Sequence, residues 1–188
     1  MKLEEVCSDV VGMVPSYSNA GDGCMLICRA VEDENVYSFM ESRSVETVKR
    51  QLARCYAIDL SAQSLLLRRD YHRSPPLPFY LYDGRIFIPF KLRIPRIVGD
   101  TSYGYIEMEM ISRVMPTDDG YCRIIFTNGQ SLPVFSQIST ARLSHYFGVE
   151  IQKNAFTPDL NSNREVLQAL RTLRRYFVNK RNGLYEGK

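Results

Sequence analysis

The chain has 188 residues, 45% of them hydrophobic and 24% charged, with a formal net charge of +3. That length suits one domain with room for a small appendage, and that composition excludes a disordered or collagen-like chain. No apolar run approaches the ~20 residues of a membrane-spanning helix, and the acidic start MKLEEVCSDVV predicts no secretory signal and hence a cytoplasmic protein.

Residues up to about Ser18 contain apolar side chains but only weak periodicity. Asn19-Ala20-Gly21-Asp22-Gly23 reads as a turn. Cys24–Cys28 and Asn35–Met40 read as short strands joined by Glu32-Asp33-Glu34. Ser44 is placed to cap a helix whose stripe is Val45, Val48, Leu52 and Tyr56, with Lys49, Arg50 and Arg54 off that stripe. Ser74-Pro75-Pro76-Leu77-Pro78 stops any helix. Phe79–Tyr82 and Arg85–Phe90 form strands around an Asp83-Gly84 turn. Lys91–Gly104 is a loop. Tyr105–Ile111 alternates, with Ile106, Met108 and Met110 on one side and Glu107 and Glu109 on a solvated face. Tyr121–Thr127 and Gln130–Phe135 flank Asn128-Gly129, which predicts a type I′ hairpin, and Pro133 marks an edge strand. A helix over about Gln137–Phe147 is expected to end at Gly148. Ser162 and Glu165 form a capping box for a last helix with a Val166, Leu170, Leu173, Phe177 stripe. The fold class is α+β, a central antiparallel sheet of six or more strands with about three helices.

Basic residues are unevenly spread along these elements. Residues 1–42 carry two Lys or Arg against eight acids, residues 43–96 eleven against four, and residues 161–188 seven against two. Two cationic blocks flanking aromatic-rich strands point to a polyanion, and duplex DNA is the densest in a cell.

Catalytic and metal chemistry is sparse. The two histidines, His72 and His145, have no partner pattern, and the sequence lacks a phosphate loop, GxSxG, HExxH and CxxC. The five cysteines are odd in number and irregularly spaced, which fits reduced and mostly buried thiols. Cys24 and Cys28 lack a second ligand pair, so no metal is expected. Neither enzymatic activity nor a cofactor is expected. The segment Lys91-Leu92-Arg93-Ile94-Pro95-Arg96 is more informative. Extended, it would line cations on one side and apolar groups on the other, and a Pro-stiffened arginine loop suits a narrow A/T-rich minor groove.

The order of motifs resembles the ComK family of competence transcription factors of Gram-positive bacteria. The residues carrying this are His72-Arg73-Ser74-Pro75-Pro76, then Ile88-Pro89-Phe90, then Ser102-Tyr103-Gly104-Tyr105-Ile106, then Phe126-Thr127-Asn128-Gly129, with Ser136 or Ser139 opening a helix. The likeness covers about residues 24–148. It departs from the family pattern at a Trp-Ile step, here Tyr105-Ile106, and at the small hydroxyl residue after the Phe-Pro step, here Phe90. The resemblance implies a transcriptional activator of competence genes that binds A/T-rich boxes through the minor groove as a homo-oligomer. It also implies control by an adaptor that delivers the activator to a Clp protease.

The resulting expectation is a mixed α/β DNA-binding core over 1–150 and a basic C-terminal helix and tail over 151–188. Lys91, Arg93 and Arg96 are expected to enter a groove, and Arg68, Arg69, Arg73, Arg171 and Arg175 to hold phosphates. Two alternatives remain. A LytTR-type DNA-binding effector domain resembles residues 121–147. A non-enzymatic protein–protein adaptor would use the same basic faces.

Overall fold

The computed structural model describes residues 3–18, 21–30 and 35–156. The chain divides into two units, Met1–Glu150 and Ile151–Lys188. The expected last helix, with Arg171 and Arg175, lies outside the described residues. The first unit is α+β, and its larger sheet has six antiparallel strands.

After a short helix α1 (Leu3–Val6), three strands follow: β1 (Val10–Ser18), β2 (Gly21–Arg29) and β3 (Val36–Glu41). Two helices come next, α2 (Val45–Cys55) and α3 (Leu60–Tyr71), then β4 (Phe79–Tyr80), β5 (Ile86–Lys91) and β6 (Tyr103–Glu107). A 3-10 turn at Met108–Met110 leads into β7 (Ile111–Pro116), β8 (Cys122–Phe126), β9 (Ser131–Val134) and α4 (Ile138–Phe156). The first sheet has the order β3-β2-β1-β6-β5-β4, and β7-β8-β9 form a second sheet of three.

The weak periodicity before Ser18 has a physical cause. Val10, Val11, Gly12, Met13, Val14 and Pro15 of β1 are all buried, because the large sheet is covered on both faces where β1 runs through its middle. A strand buried on both sides reads as a continuous apolar run, not as alternation. One face carries Met13, Leu26, Phe87 and Tyr105 beneath the Val45, Val48, Leu52 stripe of α2. The other carries Gly12, Ile27, Ile88 and Ile106, cross-strand neighbours in register. Helix α4 crosses this second face so closely that a Cβ on Gly148 would lie 2.7 Å from Cδ1 of Ile88. Gly148 therefore does not cap a helix at Phe147. It is the contact point of a longer one, and Ser144 Oγ of the same helix donates to the Pro89 carbonyl at 2.7 Å.

Other local expectations shift for equally local reasons. β2 already begins at Gly21, inside the expected turn. The Ser44 hydroxyl makes no cap bond to α2. Helix α3 has no clear stripe in the sequence because only Gln63 and Leu67 are buried on it, and it is held instead by Asp59, whose Oδ1 accepts from Ser61 N and Ala62 N. Gln63 then does a strand's work: its amide accepts from Tyr80 N and donates to Tyr80 O, both at 2.9 Å, and so closes the edge strand β4. The hairpin at Asn128-Gly129 is not type I′. Gly129 N bonds Phe126 O at 3.0 Å and only Gly129 has a positive φ (82°), which is a type I turn followed by a left-handed glycine. The turns ending at Gly84 and Gly120 repeat this pattern.

The largest correction concerns Glu107. Its side chain is 1% exposed, not solvated, because as the last residue of β6 it shares with Tyr105 and its ladder partner Phe87 the face that packs beneath α2. Glu107 lies 3.5 Å from Arg29 and 3.9 Å from Arg85. Arg85 also meets Asp83 at 3.0 Å, the carbonyls of Ser8 and Val10, and the Tyr56 hydroxyl. One guanidinium thus ties together the start of β1, the end of α2, the β4–β5 hairpin and β6. Burial pushes the Glu107 carboxyl above the usual carboxylate range, against the pull of Arg85 and Arg29. Neither of its oxygens accepts a hydrogen bond.

Candidate nucleic-acid interface

The loop between β5 and β6 is built from its ends inward. Leu92 N and Arg93 N both donate to Ser102 O, at 2.9 and 3.2 Å, which closes the loop at its base. The middle is fixed by side chains from β1 and β2. Tyr17 Oη donates to Asp100 Oδ2 and accepts from Arg96 N at 2.9 Å. Asp100 Oδ2 also accepts from Arg96 N at 3.0 Å and Ile97 N at 3.2 Å. Thr101 Oγ1 donates to Asp22 Oδ2 at 2.6 Å. The hydrogen bond from Tyr17, with those from Ile97 N and Arg96 N, holds the Asp100 carboxyl below the usual carboxylate range.

Within this frame the three expected groove cations part company. Arg93 turns inward: its side chain is 8% exposed, Nη2 lies 2.6 Å from Asp22, and the guanidinium sits 4.3 Å from the Tyr17 ring centroid. Its expected role as a groove-entering cation does not fit that position. A charge paired with an acid of the N-terminal region and roofed by a ring is a brace. Lys91 is half-buried at the end of β5, opposite Tyr103. Arg96 alone of the three is exposed, its guanidinium 4.4 Å from the centroid of the same Tyr17 ring. The apolar partners do not cover one side either. Leu92 is buried, while Ile94, Ile97 and Val98 stand exposed beside Arg96.

The expected phosphate contacts also divide. Arg68 and Arg69 are exposed in the last turn of α3, and Arg69 Nε pairs with Asp70 at 2.7 Å. Arg73 lies 4.7 Å above the Phe147 ring of α4. In the same cationic block, Arg43 pairs with Glu41, Arg50 with Glu46 and Arg85 with Asp83 and Glu107. Local pairing therefore consumes much of the block's positive charge.

The three-stranded sheet supplies two cations that sequence reasoning did not assign to an interface. The register places Arg113 opposite Ile125, and Arg123 opposite both Met115 on β7 and Pro133 on β9. Val114, Ile124 and Val134 are buried on the other face. Arg113, Met115 and Arg123 are thus exposed on one outer face, with the arginines as diagonal neighbours at roughly 7–8 Å in a regular ladder. The available signal was the alternation Arg113-Val114-Met115 against Arg123-Ile124-Ile125. For Arg113 it is masked because the expected strand stops at Ile111; Arg123 lies within the expected strand Tyr121–Thr127, but its β7 neighbour across the ladder, Met115, lies in no expected strand.

The remaining chemistry is quiet. Cys24, Cys28 and Cys122 are buried, and burial pushes the Cys24 and Cys28 thiols up to about 12, which keeps them protonated and unreactive. Burial lowers the proton affinity of His145. Among the described residues no cluster of His, Cys, Asp or Glu could hold a metal ion, and no helix is long and apolar enough to cross a membrane. Comparison with family models, curated proteins and solved structures returns no match.

Proposed function

We propose that the chain is a sequence-specific DNA-binding transcriptional regulator, similar to ComK activators, that reads A/T-rich duplexes through the β5–β6 loop. The observation carrying this reading is the braced loop itself. Five hydrogen bonds and one buried ion pair hold a short segment that exposes one arginine, Arg96, among apolar side chains. Narrow minor grooves attract arginine, and apolar side chains at their floor contact sugars or wedge between base steps. Pre-ordering the loop lowers the entropy lost on binding. Arg68, Arg73, Arg113 and Arg123 are exposed or partly exposed cations with no carboxylate partner among the described residues, and they suit phosphate contacts that position the protein.

A second reading, a protein–protein adaptor, is favoured by the exposure of Ile97 and Val98. Salt-titrated fluorescence anisotropy on A/T-rich and mixed-sequence duplexes separates the two. The DNA reading expects binding at low salt, a steep salt slope and a preference for A/T-rich duplex. Absence of binding at low salt rejects it and leaves the adaptor.

A further inference from the structure

A cleft of about 460 Å³ opens between α2, the first turns of α3, the Pro75–Phe79 segment and β6. Its walls include Pro76, Leu77, Phe79 and Tyr105, with Ser64 among the polar groups. Gln63 also lines it, but both ends of that amide are bonded to Tyr80. The cleft's cation is Lys49. Its side chain is only 14% exposed, and Nζ lies 4.4 Å from the Tyr105 ring centroid and 5.5 Å from that of Phe79. Nζ donates to Tyr105 Oη at 2.9 Å. Its carboxylate partner, Glu46, is 3.9 Å away, half-exposed, and also paired with Arg50 at 3.5 Å.

A largely buried ammonium beside two aromatic rings, whose one carboxylate partner is 3.9 Å away, half-exposed and shared with Arg50, is only partly neutralised. Its surroundings are flat and apolar, the usual make-up of a small-molecule site: hydrophobic walls with a few polar anchors. We infer that this cleft binds a small amphipathic anion, a flat ring body bearing one carboxylate or sulfonate. The acid group meets Lys49 Nζ and the rings lie between Pro76, Leu77 and Tyr105. A duplex is far too wide to enter a space of this volume, so the site is separate from the proposed DNA contacts. It does adjoin them, because Thr101 lines the cleft and also donates to Asp22, the partner of Arg93.

The test uses the full chain with 8-anilinonaphthalene-1-sulfonate as anionic probe and N-phenyl-1-naphthylamine as its uncharged counterpart, followed by fluorescence and calorimetry. The expected result is one saturable sulfonate site per chain. Lys49→Met should weaken the sulfonate at least tenfold and leave the neutral probe within about twofold. Glu46→Gln, which removes the competing carboxylate from an exposed position, should tighten the sulfonate several-fold. Ser64→Trp, which fills the cleft while keeping Lys49, should abolish both probes. Equal sulfonate affinity in wild type and Lys49→Met, or no saturable site, overturns the inference. So does one-to-one displacement by duplex DNA accompanied by an equal loss of duplex affinity in Lys49→Met. If thermal unfolding shows Lys49→Met to be unfolded, Glu46→Gln and Ser64→Trp decide. Unchanged sulfonate binding in both overturns the site.

Discussion

Two arginine clusters in this protein use the same side-chain types for opposite ends. In the interior, Arg85 is surrounded by Glu107, Asp83, Tyr56 and backbone carbonyls, and it joins four elements of the fold. At the β5–β6 loop, Arg93 is paired to Asp22 and shares the Tyr17 ring with Arg96, and Arg96 remains exposed. The first cluster spends its charge entirely on folding. The second spends one arginine on bracing the loop and leaves the other for a partner. Neighbouring arginines in one hexapeptide segment therefore differ in role, and sequence spacing alone does not separate them.

The largest expected effect breaks the interior cluster. Arg85→Met leaves Glu107 buried with only Arg29 nearby, and should lower stability by about 3–5 kcal/mol in urea unfolding. Adding Glu107→Leu to that variant should restore part of the loss, because the stranded charge is gone. If the double variant is no more stable than the single, the cluster does not act as a unit.

Next in size is the contrast within the loop. Arg93→Met should destabilise the fold by about 1–3 kcal/mol, because Asp22 loses its partner in a mostly buried site. Arg96→Gln should change stability by less than about 0.5 kcal/mol, as expected for an exposed side chain. Its expected loss is in A/T preference, by about 1–3 kcal/mol in anisotropy titrations on paired duplexes. Equal affinity losses for the two variants on all sequences would erase the distinction drawn between brace and contact.

Gly148→Ala sharpens the packing side of the comparison. Alanine gains about 1 kcal/mol of helix propensity over glycine. The added methyl meets Ile88 at 2.7 Å, and overpacking of this kind costs about 1–3 kcal/mol. The net expected change is a small loss, read as a lower denaturant midpoint.

The smallest effects are in pH dependence, and the two clusters have opposite signs. Glu107 is raised by burial, so between its unfolded and folded values the folded chain holds a proton that the unfolded chain has lost. Its contribution is complete below the unfolded value and declines as pH rises through the folded one, and Glu107→Gln should flatten that decline. Asp100 is lowered by the Tyr17 hydrogen bond, so the loop brace is present above the ordinary carboxylate range and lost as pH falls through the folded value. The protection factors of the Arg96 and Ile97 amides, with the intrinsic pH dependence of exchange divided out, should fall on acidification, and in Asp100→Asn they should no longer change with pH across that range.

Much of the fold was legible where local chemistry is decisive. The α2 stripe, the hairpin glycines and the strands on either side of Asp83-Gly84 and Asn128-Gly129 follow from spacing and turn residues. β1 and α3 were not legible, since one is buried on both faces and the other is held by a cap and by Gln63 rather than by an apolar stripe. The candidate interface was legible as a charge-rich loop, but not in its orientation: Arg93 in and Arg96 out depend on Tyr17, Asp22 and Asp100, residues up to 83 positions apart in the chain.

By itself, the sequence determined the α+β class, the hairpin positions and the concentration of cations between residues 43 and 96, because turn geometry, helical spacing and charge are properties of neighbours. Tertiary structure alone decided which charges stay available. Glu107 became an interior counter-ion, Arg93 a brace, Gly148 a contact point and Arg113 and Arg123 members of one exposed face. Each outcome depends on which distant side chain the fold brings within a few ångströms, and that distance decides whether a charge is neutralised or left to solvent.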